Sequence, residues 1–214
     1  MPGRFITFEG LDGCGKSTQL ALASKRLRSL GLDHVVTHEP GGTALGERLR
    51  AAFLDPQWSQ LDGIVEALVV FASRRQHLIE VIQPALRAGQ HVLCDRFTDS
   101  TRAYQGFGRG LDADRIDALD RLATGGLDPD LTLLFDLPAE LARSRGHGGE
   151  RLAAGKVDRL DREELAFYQR VREGYRQIAA QYPGRIRLID AAGGIEQTRV
   201  LVEAELEAFL GVSA

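Results

Sequence analysis

The chain has 214 residues, is 43% hydrophobic and 27% charged, and carries a formal net charge of −3. That length suits one large domain, residues 1–214, with a substantial core, and near-neutrality gives no bulk reason to expect nucleic acid or an anionic membrane as partner. No apolar run reaches the ~18 residues of a membrane helix, Met1-Pro2-Gly3-Arg4 carries no signal-peptide pattern, and two cysteines, Cys14 and Cys94, are too few for a disulfide framework, so the expectation is a reduced, cytoplasmic protein.

The first element is the most informative. Arg4-Phe5-Ile6-Thr7-Phe8 alternates and is β-rich, and it runs into Gly10-Leu11-Asp12-Gly13-Cys14-Gly15-Lys16-Ser17, a complete G-x-x-x-x-G-K-[ST] sequence. A helix follows over 17–30, with Leu20, Leu22, Ala23, Leu27 and Leu30 near helical spacing. The glycines allow backbone N–H groups to turn toward a polyphosphate, with the positive end of the helix dipole behind them. Lys16 then reaches the β- and γ-phosphates, Ser17 offers a hydroxyl to Mg²⁺, and residues 10–18, ending in Thr18, form the expected ATP site. Such a match arises by chance in roughly three chains per thousand of this composition, and the strand–loop–helix context makes chance rarer still.

Further strands are expected at His34–His38, His91–Asp95, Leu131–Leu137 and Arg185–Ile189. Helical patterns lie near 43–54, 61–87, 112–124, 138–145, 160–181 and 195–210. Five short strands separated by helices imply an α/β fold with a parallel sheet covered on both faces. Ligands in such folds collect at the carboxyl ends of strands, where Glu39-Pro40-Gly41-Gly42, Asp95-Arg96 and Asp190 fall. The glycine-rich, basic stretch from Gly146 to Lys156 reads as a mobile lid, within a lid segment of about 143–158.

Three classes share a phosphate loop. A regulatory GTPase needs an Asn-Lys-x-Asp guanine reader, and the chain contains no asparagine. A motor-type ATPase should show a strand ending in Asp-Glu, whereas His91-Val92-Leu93-Cys94-Asp95 is followed by Arg96. An acid then a base suits an enzyme that holds Mg²⁺ with one residue and a substrate phosphate with the next. The pattern favours a small-molecule kinase. Another small P-loop kinase, or a nucleotide-binding switch without turnover, are the alternatives.

From residue 4 to about 210 the chain resembles the bacterial thymidylate (dTMP) kinases. The resemblance rests on Phe8-Glu9-Gly10 with the phosphate loop, Glu39-Pro40-Gly41-Gly42-Thr43, Phe71-Ala72-Ser73-Arg74, Asp95-Arg96-Phe97, Ser100 through Tyr104-Gln105-Gly106, Arg109-Gly110, Pro129-Asp130-Leu131-Thr132 and Asp158-Arg159. It implies a P-loop kinase fold, phosphoryl transfer from MgATP to dTMP, and a homodimer. It also implies that Asp12 lies near the acceptor's sugar and phosphate, that Arg96 holds that phosphate, and that Asp95 faces the Mg²⁺ with Ser17. Glu39 and Arg50 would line the acceptor pocket, and Ser100, Thr101, Tyr104 and Gln105 would cover deoxyribose and base, Tyr104 crowding a 2′-hydroxyl. Phe71 would stack on thymine and Arg74 would read its exocyclic oxygen. On the helix itself Phe71 also fits an apolar core face, and Arg74 one turn on would then be a costly buried charge; a pocket with a polar ligand explains both.

Three departures from the family pattern stand out. His38 replaces an arginine before Glu-Pro-Gly-Gly, Phe97 replaces a commoner tyrosine, and the stretch between Arg143 and Asp158 is long and glycine-rich. The phosphate loop itself has no arginine, so further catalytic cations are expected from Arg143, Arg145 or Arg151 in the lid. A phosphate monoester is already nucleophilic at neutral pH, so catalysis is expected to be positioning and charge neutralisation by Asp12, Lys16, Mg²⁺, Arg96 and a lid arginine.

Overall fold

The computed structural model describes residues 2–58, 61–147 and 158–212. Strands β1 (Phe5–Gly10), β2 (His34–His38), β3 (His91–Asp95), β4 (Leu131–Asp136) and β5 (Ile186–Asp190) form one parallel sheet in the order β2-β3-β1-β4-β5. The five expected strands are all present, within a residue or two of their expected bounds. Strand β1 lies at the centre and is buried at every position, Thr7 and Glu9 included. An alternating sequence is buried on both faces because helices cover the sheet on both sides.

The helices are α1 (Lys16–Ser29), α2 (Ala44–Leu54), α3 (Gly63–His77), α4 (Gln83–Arg87), α5 (Thr98–Thr101), α6 (Ala113–Thr124), α7 (Ala139–His147), α8 (Leu165–Gln181) and α9 (Ile195–Leu210). The main core joins Ile6, Phe8, Leu27, Leu133, Phe135, Val171 and Val202. A second cluster of Phe5, Leu78, Ile82, Val92, Cys94 and Phe97 fills the other face.

Two stretches differ from the pattern read in the sequence. The expected helix over 61–87 contains a π-helical turn, Leu78–Ile82, between α3 and α4. His77, Leu78 and Ile82 are all at zero exposure along this stretch. Residues 98–108, which lie outside the expected helical patterns, are helical: α5 continues into a π-helical turn, Arg102–Gly108. Its Thr, Ser and Gly residues are poor helix formers, so tertiary contacts hold it. Asp99 takes two hydrogen bonds from Arg185, at 2.6 and 2.8 Å. Gly108 admits α8, since a Cβ there would lie 2.6 Å from the Phe167 ring.

Candidate active site

The carboxyl ends of β1, β2 and β3 open into two adjoining clefts. One is walled by Asp12, Gly13, Gly15, Lys16, Ser17, Thr18, His38 and Asp95. The other, about 770 Å³ including its mouth, reaches from Asp12 past Arg96, Arg74 and Gln105 to Asp158. Asp12, Glu39, Arg50 and Arg96 line both. A group passing from one cleft to the other crosses these four side chains.

The first cleft is made of backbone. Gly13 and Gly15 have φ of +82° and +93°, left-handed values that favour glycine. At Gly13 space forbids a side chain as well, since a Cβ would sit 2.1 Å from the Ala142 carbonyl of α7. Helix α1 then starts at Lys16 with no side-chain cap on its first N–H groups, which leaves them available to an anion. The Lys16 ammonium folds back onto the loop, donating to the carbonyls of Gly10 at 3.1 Å and Leu11 at 2.8 Å. Burial pushes the neighbouring Cys14 thiol up, so it stays an uncharged packing group.

Ser17 Oγ donates to Asp95 Oδ2 at 3.3 Å, which brings the two expected Mg²⁺ residues together across the loop and β3. The other Asp95 oxygen, Oδ1, is buried with no hydrogen-bond partner in the described structure. A hydroxyl and an unsatisfied carboxylate oxygen fit Mg²⁺, a hard cation that takes its remaining ligands from phosphate and water. Among the described residues no group of three or more His, Cys, Asp or Glu could cage a metal alone.

Arg96 is the hinge of the site. Its φ is +72°, the one left-handed non-glycine residue among those described. Nη2 donates to Asp12 Oδ1 at 2.9 Å and to the Tyr104 hydroxyl at 3.3 Å; Nη1 donates to Ser100 Oγ at 3.0 Å and Tyr175 at 3.1 Å. The guanidinium lies 5.0 Å from the centre of the Tyr104 ring. Burial works against its charge, but Tyr104, Asp12, Tyr175 and Asp95 outweigh this and raise its pKa further. Burial pushes the Tyr104 and Tyr175 phenols up, so both remain O–H groups.

Beneath Arg96 lies Glu9, a residue to which the sequence motifs assign no role of its own. Glu9 Oε1 accepts the Phe97 N–H at 2.7 Å, while Oε2 accepts from Ser100 at 2.5 Å and Tyr175 at 2.9 Å. It therefore fixes the backbone just after Arg96 and both hydroxyls that receive Nη1. Burial, then the nearby Asp99, pushes its carboxyl up to about 7, against Arg96 and the hydrogen bonds, which lower it. An acid in a strand buried at every position is the signal that marks it.

Arg74, on α3, is 1% exposed. Nε donates to Glu39 Oε2 at 2.6 Å and Nη2 to Thr101 at 3.1 Å, while the buried Nη1 has no hydrogen-bond partner. Glu39 Oε1 meets His77 Nδ1 at 2.8 Å, and His77 Nε2 meets Thr37 at 2.6 Å. Glu39 thus supports Arg74 as well as lining the cleft. Arg50 donates to the Pro40 carbonyl at 2.9 Å and lines both clefts, as expected.

Other expectations need correction. Phe71 is absent from the cavity wall: it packs with Ala67, Ile116 and Ala123, 4.8 Å under the Arg74 guanidinium. Phe97 takes the opposite face at the same distance. One residue along a helix turns about 100°, so Val70 and Arg74 face the cavity while Phe71 faces α6. The apolar wall is instead Phe53, Leu54, Val70, Phe97 and Leu160. Asp190 lines neither cleft; its carboxylate caps the turn at Ala192. Arg145 is tied to the Ala191 and Ala192 carbonyls. Arg143 sits partly buried on α7 and is not among the residues lining the clefts, and Arg151 with most of the expected lid lies outside the described residues. His38 pairs with Glu47 at 2.9 Å.

A phosphate loop at the end of a central parallel strand, beside a second buried pocket reached across a shared arginine, defines a P-loop kinase. The sequence model of the thymidylate kinase family matches residues 8–202. Thymidylate kinases of Geobacter sp. (strain M21) and Desulfovibrio desulfuricans are 49% and 50% identical, over 95% and 96% of this chain and 91% and 96% of their own. The crystal structure of thymidylate kinase from Ehrlichia chaffeensis aligns with a TM-score of 0.75 at 34% identity, covering 96% of this chain and 99% of that one. This chain belongs to the thymidylate kinase family.

Proposed function

We propose that this protein transfers the γ-phosphoryl group of ATP to the phosphate of dTMP, giving dTDP and ADP. The observation that carries the acceptor assignment is Arg74: a buried guanidinium packed against Phe71 and Phe97 in the cavity wall, with its Nη1 amino group left without a partner. An unpartnered buried donor calls for a fixed acceptor, and the exocyclic 4-oxygen of thymine is one. ATP binds along residues 10–18. Arg96 holds the acceptor phosphate at the junction of the clefts, its guanidinium oriented by Asp12 at 2.9 Å, with Arg50 lining the same junction, and Tyr104 closes the sugar side.

The chemistry asks little of a base. A phosphate oxygen of dTMP attacks the γ-phosphorus, and the bond from that phosphorus to the β,γ-bridging oxygen breaks. Lys16 leaves its two carbonyl partners for the phosphates, and Arg96 neutralises the repulsion between acceptor and donor anions. Mg²⁺ at Ser17 and Asp95, when bound, supplies charge neutralisation to the phosphate oxygens. Arg143 or Arg151 adds a cation from the lid segment of 143–158, within a single 1–214 kinase domain.

We further infer a cytoplasmic homodimer. Among the described residues no helix is long and apolar enough to cross a membrane. The α3 face leaves Val65 and Leu68 exposed, and Ile79 follows in the π turn, a stripe suited to a second copy. Light scattering of the purified protein tests this part. The test of function is a coupled assay with MgATP against dTMP, dUMP, dCMP, AMP, GMP and thymidine; preference for any acceptor but dTMP overturns the assignment.

A further inference from the structure

Gln105 lines the acceptor cavity together with Arg74, and its Nε2 donates to Glu66 Oε2 at 2.8 Å. A terminal amide has nearly the same shape either way round, so its partners decide which end faces the cavity. Here the partner is a carboxylate with no exposure, on α3. Glu66 Oε1 already receives Arg159 Nη1 at 2.6 Å and Arg109 Nε at 3.0 Å. Arg109 continues to Glu163 at 2.6 Å, and Arg159 Nε bonds the Phe53 carbonyl at 3.2 Å. The Glu66 carboxylate is therefore fixed from two sides and presents only acceptors. Turning the amide over would set two acceptor oxygens against each other in a buried place. The NH₂ end must face Glu66, which leaves Gln105 Oε1 without a hydrogen-bond partner among the described residues.

We propose that Glu66 is a specificity-determining positioning residue: by locking the amide of Gln105, it presents a carbonyl acceptor to the cavity whose wall also carries the free Arg74 donor. The inference rests on the dTMP reading above. Thymine and uracil offer an acceptor at position 4 and an N–H donor at position 3; cytosine offers a donor and an acceptor at the same places. Arg74 covers position 4. A free glutamine would turn its NH₂ to the bare N3 of cytosine and relax the second check. Glu66 forbids that turn, so the wrong base meets a mismatch at both positions.

The test is kcat/KM for dTMP and dCMP in the full chain, with thermal unfolding as the folding control. Glu66→Gln lets the amide turn, and the dTMP-over-dCMP ratio should fall at least tenfold, mainly through a rise for dCMP. Because Glu66→Gln leaves Arg159 without its carboxylate, Glu66→Gln/Arg159→Gln is the companion in which both charges go. Gln105→Met should cost dTMP tenfold or more while leaving dCMP unchanged or improved. A purely structural role for Glu66 lowers both substrates together. An unmoved ratio in a folded Glu66 variant, or equal losses in Gln105→Met, overturns the proposal. Wild-type protein inactive on dTMP overturns the functional reading itself, and activity on dTMP with an unmoved ratio overturns only this inference.

Discussion

The two clefts meet at Asp12 and Arg96 but are built by opposite means. The phosphate-loop cleft comes from one continuous stretch, uses main-chain N–H groups, and leaves Ser17 and Thr18 exposed. Its lysine rests on local carbonyls and can leave them. The acceptor cleft gathers side chains from the turn after β2, from α2 and α3, from the β3–α5 junction, from α5 with its π turn, and from the segment before α8. Its polar groups are pre-paired and buried: Arg74 with Glu39 and Thr101, Gln105 with Glu66. The backbone cleft fits any polyphosphate, whereas the side-chain cleft sets a guanidinium and an amide at fixed positions. Rigidity is concentrated where selection is made, because a donor held in place cannot adapt to the wrong partner.

If that contrast holds, removing the central cation of each cleft should have different consequences. Arg74→Ala leaves Glu39 buried without its guanidinium, which should cost about 3–5 kcal/mol of stability, seen as a lower midpoint in denaturant. The dTMP-over-dCMP ratio should shrink with it. Lys16→Ala should instead cost about 10²–10³-fold in kcat with unchanged circular dichroism and little change in Tm. Activity within tenfold of wild type would remove Lys16 from the transfer step.

Glu9 offers a pH test of the junction. Its carboxyl is raised in the fold to about 7 from an ordinary 4.5, so the native state holds a proton that the unfolded chain has released. Stability on this account is full below about pH 4.5 and falls as pH rises toward 7, by up to about 3 kcal/mol. Glu9→Gln should abolish that slope. Equal slopes in wild type and Glu9→Gln between pH 4.5 and 8 would refute the assignment. The smallest effect is expected at the start of α2, where Thr43 Oγ1 accepts the Gly46 N–H at 2.9 Å. Thr43→Ala should cost about 1 kcal/mol, roughly 2–4 °C in Tm, without changing the ratio of acceptors.

What the sequence determined by itself was whatever depends on local chemistry. Glycines at fixed spacing, a lysine and a hydroxyl make a phosphate loop wherever a strand meets a helix, so residues 10–18 are legible from the chain alone. The alternation of strands and helices likewise implied the parallel sheet, because short β-rich runs joined by helices pair only that way. Tertiary structure decided the rest. Phe71 and Val70 are adjacent in the chain, and only the rotation of α3 against α6 settled that Val70 meets the cavity. Residues 98–108 are helical because Arg185 and α8 hold them, and neither lies nearby in sequence. Glu9, Ser100 and Tyr175 stand at least 75 residues apart pairwise, and Glu66 lies 93 residues from Arg159 and 39 from Gln105. Buried polar networks of this kind are set by which distant groups must share a desolvated space, and no local pattern records that choice.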